Sequence, residues 1–131
     1  MSDIARLLQD PSTTIAVVGA TEREHKYGSI IYRDLRTKGF TVFAVNPYRD
    51  TVHGDPCWHS LSDLPEAPTI VNFVVPPAHT LESLAECRRL GYTTVWVQPG
   101  AEDDAVVEYL EEHGFDHLVR ACIMVQARSV A

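Results

Sequence analysis

Three segments of the chain share one pattern, in which a glycine ends a helical stretch and an aromatic residue and a strand-like run follow it. They read RTKGFTVFAV, RRLGYTTVWV and EEHGFDHLV, with the glycines at Gly39, Gly91 and Gly114. Glycine adopts the left-handed conformation that ends a helix at no steric cost. Runs rich in β-branched residues are typical of buried parallel strands. The pattern therefore restricts the chain to alternating helices and strands, which is the element order of an α/β fold.

Apolar periodicity predicts where these elements lie. Helical spacing of apolar residues predicts helices around residues 27–35, 81–85 and 106–110. Strands are predicted near residues 14–18, 41–45, 69–75, 94–98 and 117–119. Strands that alternate with helices form an open, doubly wound parallel sheet of the Rossmann-like type, in which the first strand is central and the second and third lie on either side of it. Ligands of such sheets bind in the crevice at the carboxyl ends of the strands.

The length of 131 residues fits a single domain, 1–131, because a chain of this size buries roughly two thirds of its unfolded surface in one core. We expect residues 13–131 to form the Rossmann-like core. Residues 1–12 are expected to form a short docking helix, since Ile4, Leu7 and Leu8 fall at helical spacing.

The composition indicates a cytoplasmic protein. The first residues lack a basic leader and a long apolar stretch, and no apolar run approaches the ~20 residues that span a bilayer. Three widely spaced cysteines, an odd number, fit reduced thiols better than a disulfide framework. They are Cys57, Cys87 and Cys122.

The charge of the chain is negative overall but locally positive. A formal net charge of −7 repels nucleic acid and anionic membranes, so we expect neither as a partner. Residues 23–49 nevertheless hold six of the 11 basic residues and only two acids. Part of this window is expected to be solvated helix surface. Its basic residues are Arg23, Lys26, Arg33, Arg36, Lys38 and Arg49.

The turn after the first predicted strand has two glycines but no glycine triplet. In IAVVGATEREHKYGSII, Gly19 follows the strand directly and Gly28 begins the next helix. Such a loop suits a phosphate, because a helix start offers free N–H groups to an anion. A packing turn without a ligand explains it equally well, since G-x-G-x-x-G is absent. The Walker sequence is absent too, so the loop does not indicate an NTPase.

The ends of the second and third strands carry more information. After the second strand, where an NAD site needs an acid for the ribose, the chain has Asn46, Pro47 and then Arg49. A cation there favours a ribose with an extra phosphate, as in NADP and coenzyme A, although a plain turn with a solvated arginine fits as well. Pro76 and Pro77 end the third strand and are expected to wall the opposite side of the crevice.

No motif in the sequence marks a catalytic or metal site. G-x-S-x-G is absent, so no serine is marked as a nucleophile. The segment HGDPCWH is better interpreted as a loop packed by Trp58 than as a metal site, because the spacing of its potential ligands matches no common zinc pattern. Those potential ligands are His53, Cys57 and His59.

In their order and spacing, the motifs resemble the small stand-alone CoA-binding proteins. These proteins are similar to the Rossmann-like CoA-binding domain of the succinyl-CoA synthetase alpha subunit and of ADP-forming acyl-CoA synthetases. The resemblance covers nearly the whole chain. It rests on the VAVVGA-type first strand, Val45-Asn46-Pro47, His53 and Gly54, Ser60 and Leu61, Leu64-Pro65, Pro76-Pro77, VWVQPG at 95–100 and Cys122-Ile123.

The resemblance implies that CoA or an acyl-CoA lies along the strand ends. The first loop would receive the diphosphate, the turn after the second strand the nucleotide end, and the later strand ends the other wall. With Lys26 of the basic window included, the residues expected at the site are Gly19, Ala20, Thr21, Lys26, Tyr27, Ser29, Asn46, Pro47, Arg49, Val75, Pro76, Pro77, Thr80, Gln98 and Cys122.

The resemblance also implies a role as carrier, sensor or accessory subunit. The phosphohistidine domain and the nucleotide-grasp modules of the ligases have no counterpart in 131 residues, so we expect a CoA-binding protein that is not an enzyme by itself. An NADP-type oxidoreductase or regulatory dinucleotide-binding module stays open, as does a structural partner subunit. Cys122 has two readings, either a small buried core residue or a thiol that forms a mixed disulfide with CoA.

Overall fold

The computed structural model describes residues 4–131, which form one sheet of seven strands with helices on both faces. The strands are β1 (Thr14–Val18), β2 (Thr41–Val45), β3 (Thr51–Val52), β4 (Asp55–Trp58), β5 (Ile70–Phe73), β6 (Thr94–Val97) and β7 (Asp116–Val119). The helices are α1 (Ile4–Leu7), α2 (Tyr27–Thr37), α3 (Pro77–Leu90), α4 (Asp104–Glu112) and α5 (Ile123–Gln126), and a 3₁₀ turn spans Leu61–Asp63.

The sheet has the order β3-β4-β2-β1-β5-β6-β7, and its neighbours are parallel except for the β3–β4 pair. Strand β1 is central and pairs with β2 along its whole length, from Thr14 opposite Thr41 to Val18 opposite Val45. Strand β5 lies on its other side. The predicted Rossmann-like α/β fold, with the first strand between the second and third predicted strands, is confirmed.

Alternate residues of each strand enter two cores, one on each face of the sheet. One core lies beneath α1, α2 and α5, and the other beneath α3, α4 and the 3₁₀ turn. Because both faces are covered, the inner strands are apolar on both sides, as parallel strands usually are. On β5 the alternation places Ile70 in the first core and Val71 and Phe73 in the second.

The predicted helix ends are also found. Gly39, Gly91 and Gly114 have positive φ angles of 101°, 80° and 67°. At the other end of α4, the side chain of Asp103 accepts a hydrogen bond of 2.9 Å from the backbone N–H of Val106 and so caps the helix.

Strands β3 and β4 are not among the five predicted strands. They form a hairpin closed by His53 and Gly54, whose φ angles of 51° and 80° match the two left-handed positions of a type I′ turn. The segment expected to be a loop therefore extends the sheet edge, with β4 parallel to β2 and β3 antiparallel to β4. Trp58 lies in β4, half-buried, with its ring edge-on to Phe43 at 5.6 Å.

The N-terminal segment packs against the first core. Ile4 and Leu8 are buried, and α1 is shorter than the predicted 1–12 helix, of which residues 1–3 lie outside the described part. Among the helices formed by residues 4–131, none is long and apolar enough to cross a bilayer.

Candidate functional site

The crevice at the carboxyl ends of β1, β2 and β5 begins with a turn that only glycine fits. Gly19 follows β1 with φ +104°, and a Cβ there would lie 2.7 Å from the carbonyl oxygen of Val74 and 2.8 Å from Cγ1 of Val75. The Gly19 N–H donates to the Val45 carbonyl at 2.9 Å. The loop backbone is thus fixed between the two neighbouring strand ends.

Gly28, in the first turn of α2, lets the helix start rest on this loop. A Cβ at Gly28 would collide with the carbonyl oxygen of Gly19 and lie 3.4 Å from Cγ2 of Thr21. The N-cap residue of α2 is Lys26, and its side chain accepts no hydrogen bond from the first N–H groups of the helix. The close approach brings the positive end of the helix dipole to the crevice.

Asn46 braces the opposite loop. Its Nδ2 donates to the carbonyl of Ala20 at 2.9 Å, and its Oδ1 accepts from the backbone N–H of Tyr48 at 2.9 Å. The half-buried side-chain amide of Asn46 therefore joins the turn after β2 to the turn after β1 and helps to fix the distance between the two turns.

Three cations surround a cavity of about 570 Å³ between these loops. They are Arg23, Lys26 and Arg49, and no acidic residue lines the cavity with them. Within residues 4–131, none of the three forms an ion pair. In a protein of net charge −7, this concentration of free positive charge suits anionic groups. We call this space the basic cavity.

A second cavity of about 410 Å³ opens on the α3 side and is lined by aromatic rings and acids. The rings belong to Tyr48, His59 and His79, and the charged residues on α3 are two acids, Glu82 and Glu86, and one cation, Arg89. Tyr48 is 90% exposed and borders the basic cavity as well. Flat rings suit a planar group, and the carboxylates disfavour a phosphate here. We call this space the ring cavity.

A third cavity of about 150 Å³ lies toward α5 and reaches a thiol. It is lined by Tyr27, Val74, Gln98, Pro99 and Cys122. Gln98 is buried, its Nε2 donates to Sγ of Cys122 at 3.4 Å, and its Oε1 accepts from the N–H of Ile123 at 2.9 Å. Gln98 thereby fixes the start of α5 and the position of the half-buried Cys122. We call this space the thiol cavity.

The three cavities are neighbours along the strand ends and share walls. The basic and ring cavities share Gly19, Asn46, Tyr48 and Val75. The basic and thiol cavities share Tyr27 and Val74. The three cavities therefore lie side by side in one crevice.

Most of the residues expected from the sequence line these cavities. They are Gly19, Thr21, Lys26, Tyr27, Asn46, Pro47, Arg49, Val75, Pro76, Gln98 and Cys122. The structure does not bring the remaining four to the cavity walls. Ala20 is buried beneath the loop, Pro77 begins α3, and Thr80 is buried with its hydroxyl toward the Val75 and Pro76 carbonyls at 3.4 Å. Ser29 is buried in α2.

Ser29 belongs instead to a polar network that joins α2 to the β3–β4 hairpin. Its Oγ lies 2.7 Å from Nε2 of His53, whose ring stacks on Tyr32. The Tyr32 hydroxyl donates to Asp55 at 2.9 Å, and Arg36 forms an ion pair with the same carboxylate. The Arg36 hydrogen bond lowers the pKa of Asp55, and burial raises the pKa of Tyr32 to about 12. The network holds the hairpin against the helix that starts at the crevice.

Several lining residues were not predicted. Arg23, Tyr48, His59 and His79 flank the cavities although sequence reasoning did not select them for a ligand. Position in the sequence could have indicated Arg23 and Tyr48, because each lies in a loop from which other residues were expected at the site.

The potential metal ligands of the HGDPCWH segment each make other contacts. His59 Nε2 lies 2.8 Å from Asp50, while Cys57 is buried and burial raises its pKa. Across residues 4–131, no group of three His, Cys, Asp or Glu side chains is arranged to hold a metal ion.

Comparison with known proteins identifies the family. The sequence profile described as a CoA binding domain matches residues 13–128. The chain belongs to the CoA-binding domain family. The match spans every strand of the sheet and all three cavities, so the resemblance noted in the sequence is confirmed.

Relatives of this CoA-binding domain include short proteins and larger ligases. A conserved hypothetical protein of Pyrococcus furiosus is similar in structure, with a TM-score of 0.84, 40% identity and coverage of 87% of this chain and 98% of that one. Uncharacterized protein YneT of Bacillus subtilis is 27% identical over 95% of this chain and 91% of its own length. The ADP-forming acetate–CoA ligase I of Archaeoglobus fulgidus is 30% identical over 76% of this chain, which spans only 16% of that ligase.

Proposed function

We propose that this CoA-binding domain holds CoA or an acyl-CoA in the crevice formed by the three cavities. The observation that carries the proposal is the basic cavity, where Arg23, Lys26 and Arg49 stand free of acids beside the start of α2. CoA carries a diphosphate and a 3′-phosphate, and such groups are bound by cations together with helix N–H groups.

The distribution of charge supports one orientation of the ligand. Phosphates are favoured in the basic cavity and disfavoured beside Glu82 and Glu86 in the ring cavity. The adenine ring is neutral and planar, so it suits Tyr48 and its neighbouring rings. The pantetheine arm then extends the other way, past Tyr27 and Val74.

This orientation brings the thiol end of CoA toward Cys122. The thiol cavity is narrow and partly apolar, and its polar members are Gln98 and Cys122. NADP carries a nicotinamide riboside beyond its diphosphate, which is shorter than the pantetheine arm and has no thiol, so a cavity that ends at Cys122 favours CoA over the NADP-type alternative. Both ligands share the extra phosphate that Arg49 is proposed to bind.

We propose further that the domain binds CoA without converting it, and that it serves as a carrier, a sensor or an accessory subunit. Its three cysteines are free thiols, which supports a reducing compartment such as the cytoplasm. The ligase relatives are much longer than this chain, and their activity is not part of the proposal.

The experiment that tests the proposal combines native mass spectrometry with thermal melting. We expect the protein as isolated to retain a ligand with the mass of CoA or an acyl-CoA. We also expect CoA to raise the melting temperature, because a ligand that binds only the folded state stabilises it. NAD should leave the melting temperature unchanged, since Asn46 stands directly after β2, where an NAD site carries the acid that binds the ribose. Equal stabilisation by NAD and CoA would contradict the assignment.

A further inference from the structure

One polar side chain in the core has no partner in the fold. Asn72 in β5 is fully buried, and neither its Nδ2 nor its Oδ1 has a hydrogen-bond partner within residues 4–131. Burying an amide without a partner is costly, because the group loses its bonds to water and gains none. Few native groups are left in this state, so each one requires a physical reason.

The polar groups around Asn72 are already committed to other partners. Asn72 lies in register between Val17 of β1 and Trp96 of β6. The indole N–H of Trp96 donates to the carbonyl of Ala121 at 2.7 Å. Gln98, the next residue on that face of β6, uses both ends of its amide on Cys122 and Ile123. The fold therefore does not employ the Asn72 amide.

Asn72 lies on the same face of the sheet as a residue that borders the passage proposed for the CoA arm. Side chains alternate along a strand, so Asn72 shares a face with Val74, which lies about 7 Å further along the chain, one residue past the end of β5. Val74 and the 65% exposed Tyr27 are the two residues common to the basic and thiol cavities. An arm that runs from the phosphates to Cys122 crosses these two side chains, one of which shares its face of the sheet with the unused amide.

We infer that Asn72 is a ligand-binding residue whose amide hydrogen-bonds an amide of the pantetheine arm. The inference rests on the proposed function, because the arm must lie in this passage. A secondary amide offers one N–H donor and one carbonyl acceptor, and Asn72 leaves a matching acceptor and donor unused. Displacement of the Val74 and Tyr27 side chains by the arm exposes Asn72, a change of the side-chain scale that is common on binding.

The test measures stability and affinity in the same variants. Asn72→Leu and Asn72→Val remove the amide and keep the site apolar. Both variants should melt at or above the wild-type temperature without ligand, because an unsatisfied buried group is gone. Calorimetry should show CoA binding weakened by about 10-fold, as expected for one lost hydrogen bond. Binding of adenosine 3′-phosphate 5′-diphosphate, which lacks the arm, should not change.

Val71→Ala is the matched control, since Val71 is the buried neighbour on the opposite face of β5. It should lower the melting temperature and leave the ratio of the two affinities unchanged. Unchanged CoA affinity in the Asn72 variants, equal weakening of both ligands, or loss of folding in both variants would overturn the inference. The proposed function is tested separately. It stands in each of these outcomes if the wild-type protein binds CoA tightly and is stabilised by CoA but not by NAD.

Discussion

Replacing Gly28 by alanine should destabilise the protein, although alanine is the better helix former. In an open helix the exchange would stabilise by about 1 kcal/mol. Here the new Cβ meets the carbonyl oxygen of Gly19 and lies 3.1 Å from its carbonyl carbon. The Gly19 backbone cannot shift easily, because its N–H donates a hydrogen bond to the Val45 carbonyl and it packs against the Val74 backbone.

The cost follows from these contacts. Forcing one extra carbon into a packed site costs about 1–3 kcal/mol and occasionally more. The new Cβ meets backbone atoms of Gly19, which cannot rotate away like a side chain, so we expect a cost at the upper end of that range, about 2–3 kcal/mol. After subtraction of the helix-propensity gain of about 1 kcal/mol, a net loss of about 1–2 kcal/mol remains, which lowers the melting temperature by roughly 3–8 °C in a domain of this size. Because the start of α2 must move away from the loop, CoA binding should weaken as well.

Thermal and urea unfolding followed by circular dichroism measure the effect. Thr37→Ala is the control, since Thr37 is exposed in the last turn of the same helix and alanine there should stabilise slightly. A Gly28→Ala protein that melts at or above the wild-type temperature would refute the close packing of α2 on the Gly19 loop.

Three further predictions concern single side chains. Arg49→Ala should weaken CoA by on the order of 1–3 kcal/mol and leave dephospho-CoA almost unaffected; equal weakening of both, by calorimetry, would show that Arg49 does not bind the 3′-phosphate. With CoA disulfide, the Cys122 thiolate should attack one sulfur, form Cys122–S–S–CoA and release a CoA thiolate, and peptide mapping should find no adduct on Cys87, whose pKa burial raises to about 12; an adduct that persists in Cys122→Ser contradicts this. Because Arg36 lowers the pKa of Asp55, their pair stabilises the fold fully above the unfolded-state pKa of about 4, and this contribution is lost as pH falls through the lower folded-state pKa. Asp55→Asn should therefore cost up to about 1 kcal/mol at pH 7 and progressively less as the solution is made more acidic; a difference in urea unfolding that stays constant from pH 7 into the acid range would contradict it.

The sequence was sufficient for five of the seven strands because these five carry strong local signals. Strands β1 and β2 have the predicted bounds, and the glycine helix ends predicted from position alone have positive φ angles. The β3–β4 hairpin escaped prediction because its first strand has two residues, its turn uses His53 with Gly54 in place of the commoner Asn-Gly, and Pro56 reads as a strand breaker.

The sequence predicts which loops border the candidate site better than it predicts which side chains of those loops and helices line it. Asn46 and Arg49 lie at a strand end, and strand ends of parallel sheets meet at one edge, so their proximity to Gly19 follows from the fold class. Whether a helical residue faces the crevice depends on the rotation of the helix, which the sequence does not specify. Ser29 and Thr80 were expected at the site for this reason, and both are directed into the packed interior.

The most direct test of the account is a calorimetric titration of the protein with CoA and, in parallel, with NADP. Both ligands carry a diphosphate and an extra phosphate on a ribose, but only CoA has a long, thiol-bearing arm, which we propose enters the thiol cavity beside Gln98 and Cys122. We predict one site per chain that binds CoA at least about 10-fold more tightly than NADP, since the arm adds hydrogen bonds that NADP cannot make. Binding of NADP as tight as that of CoA, or no heat of binding with CoA, would contradict the central claim.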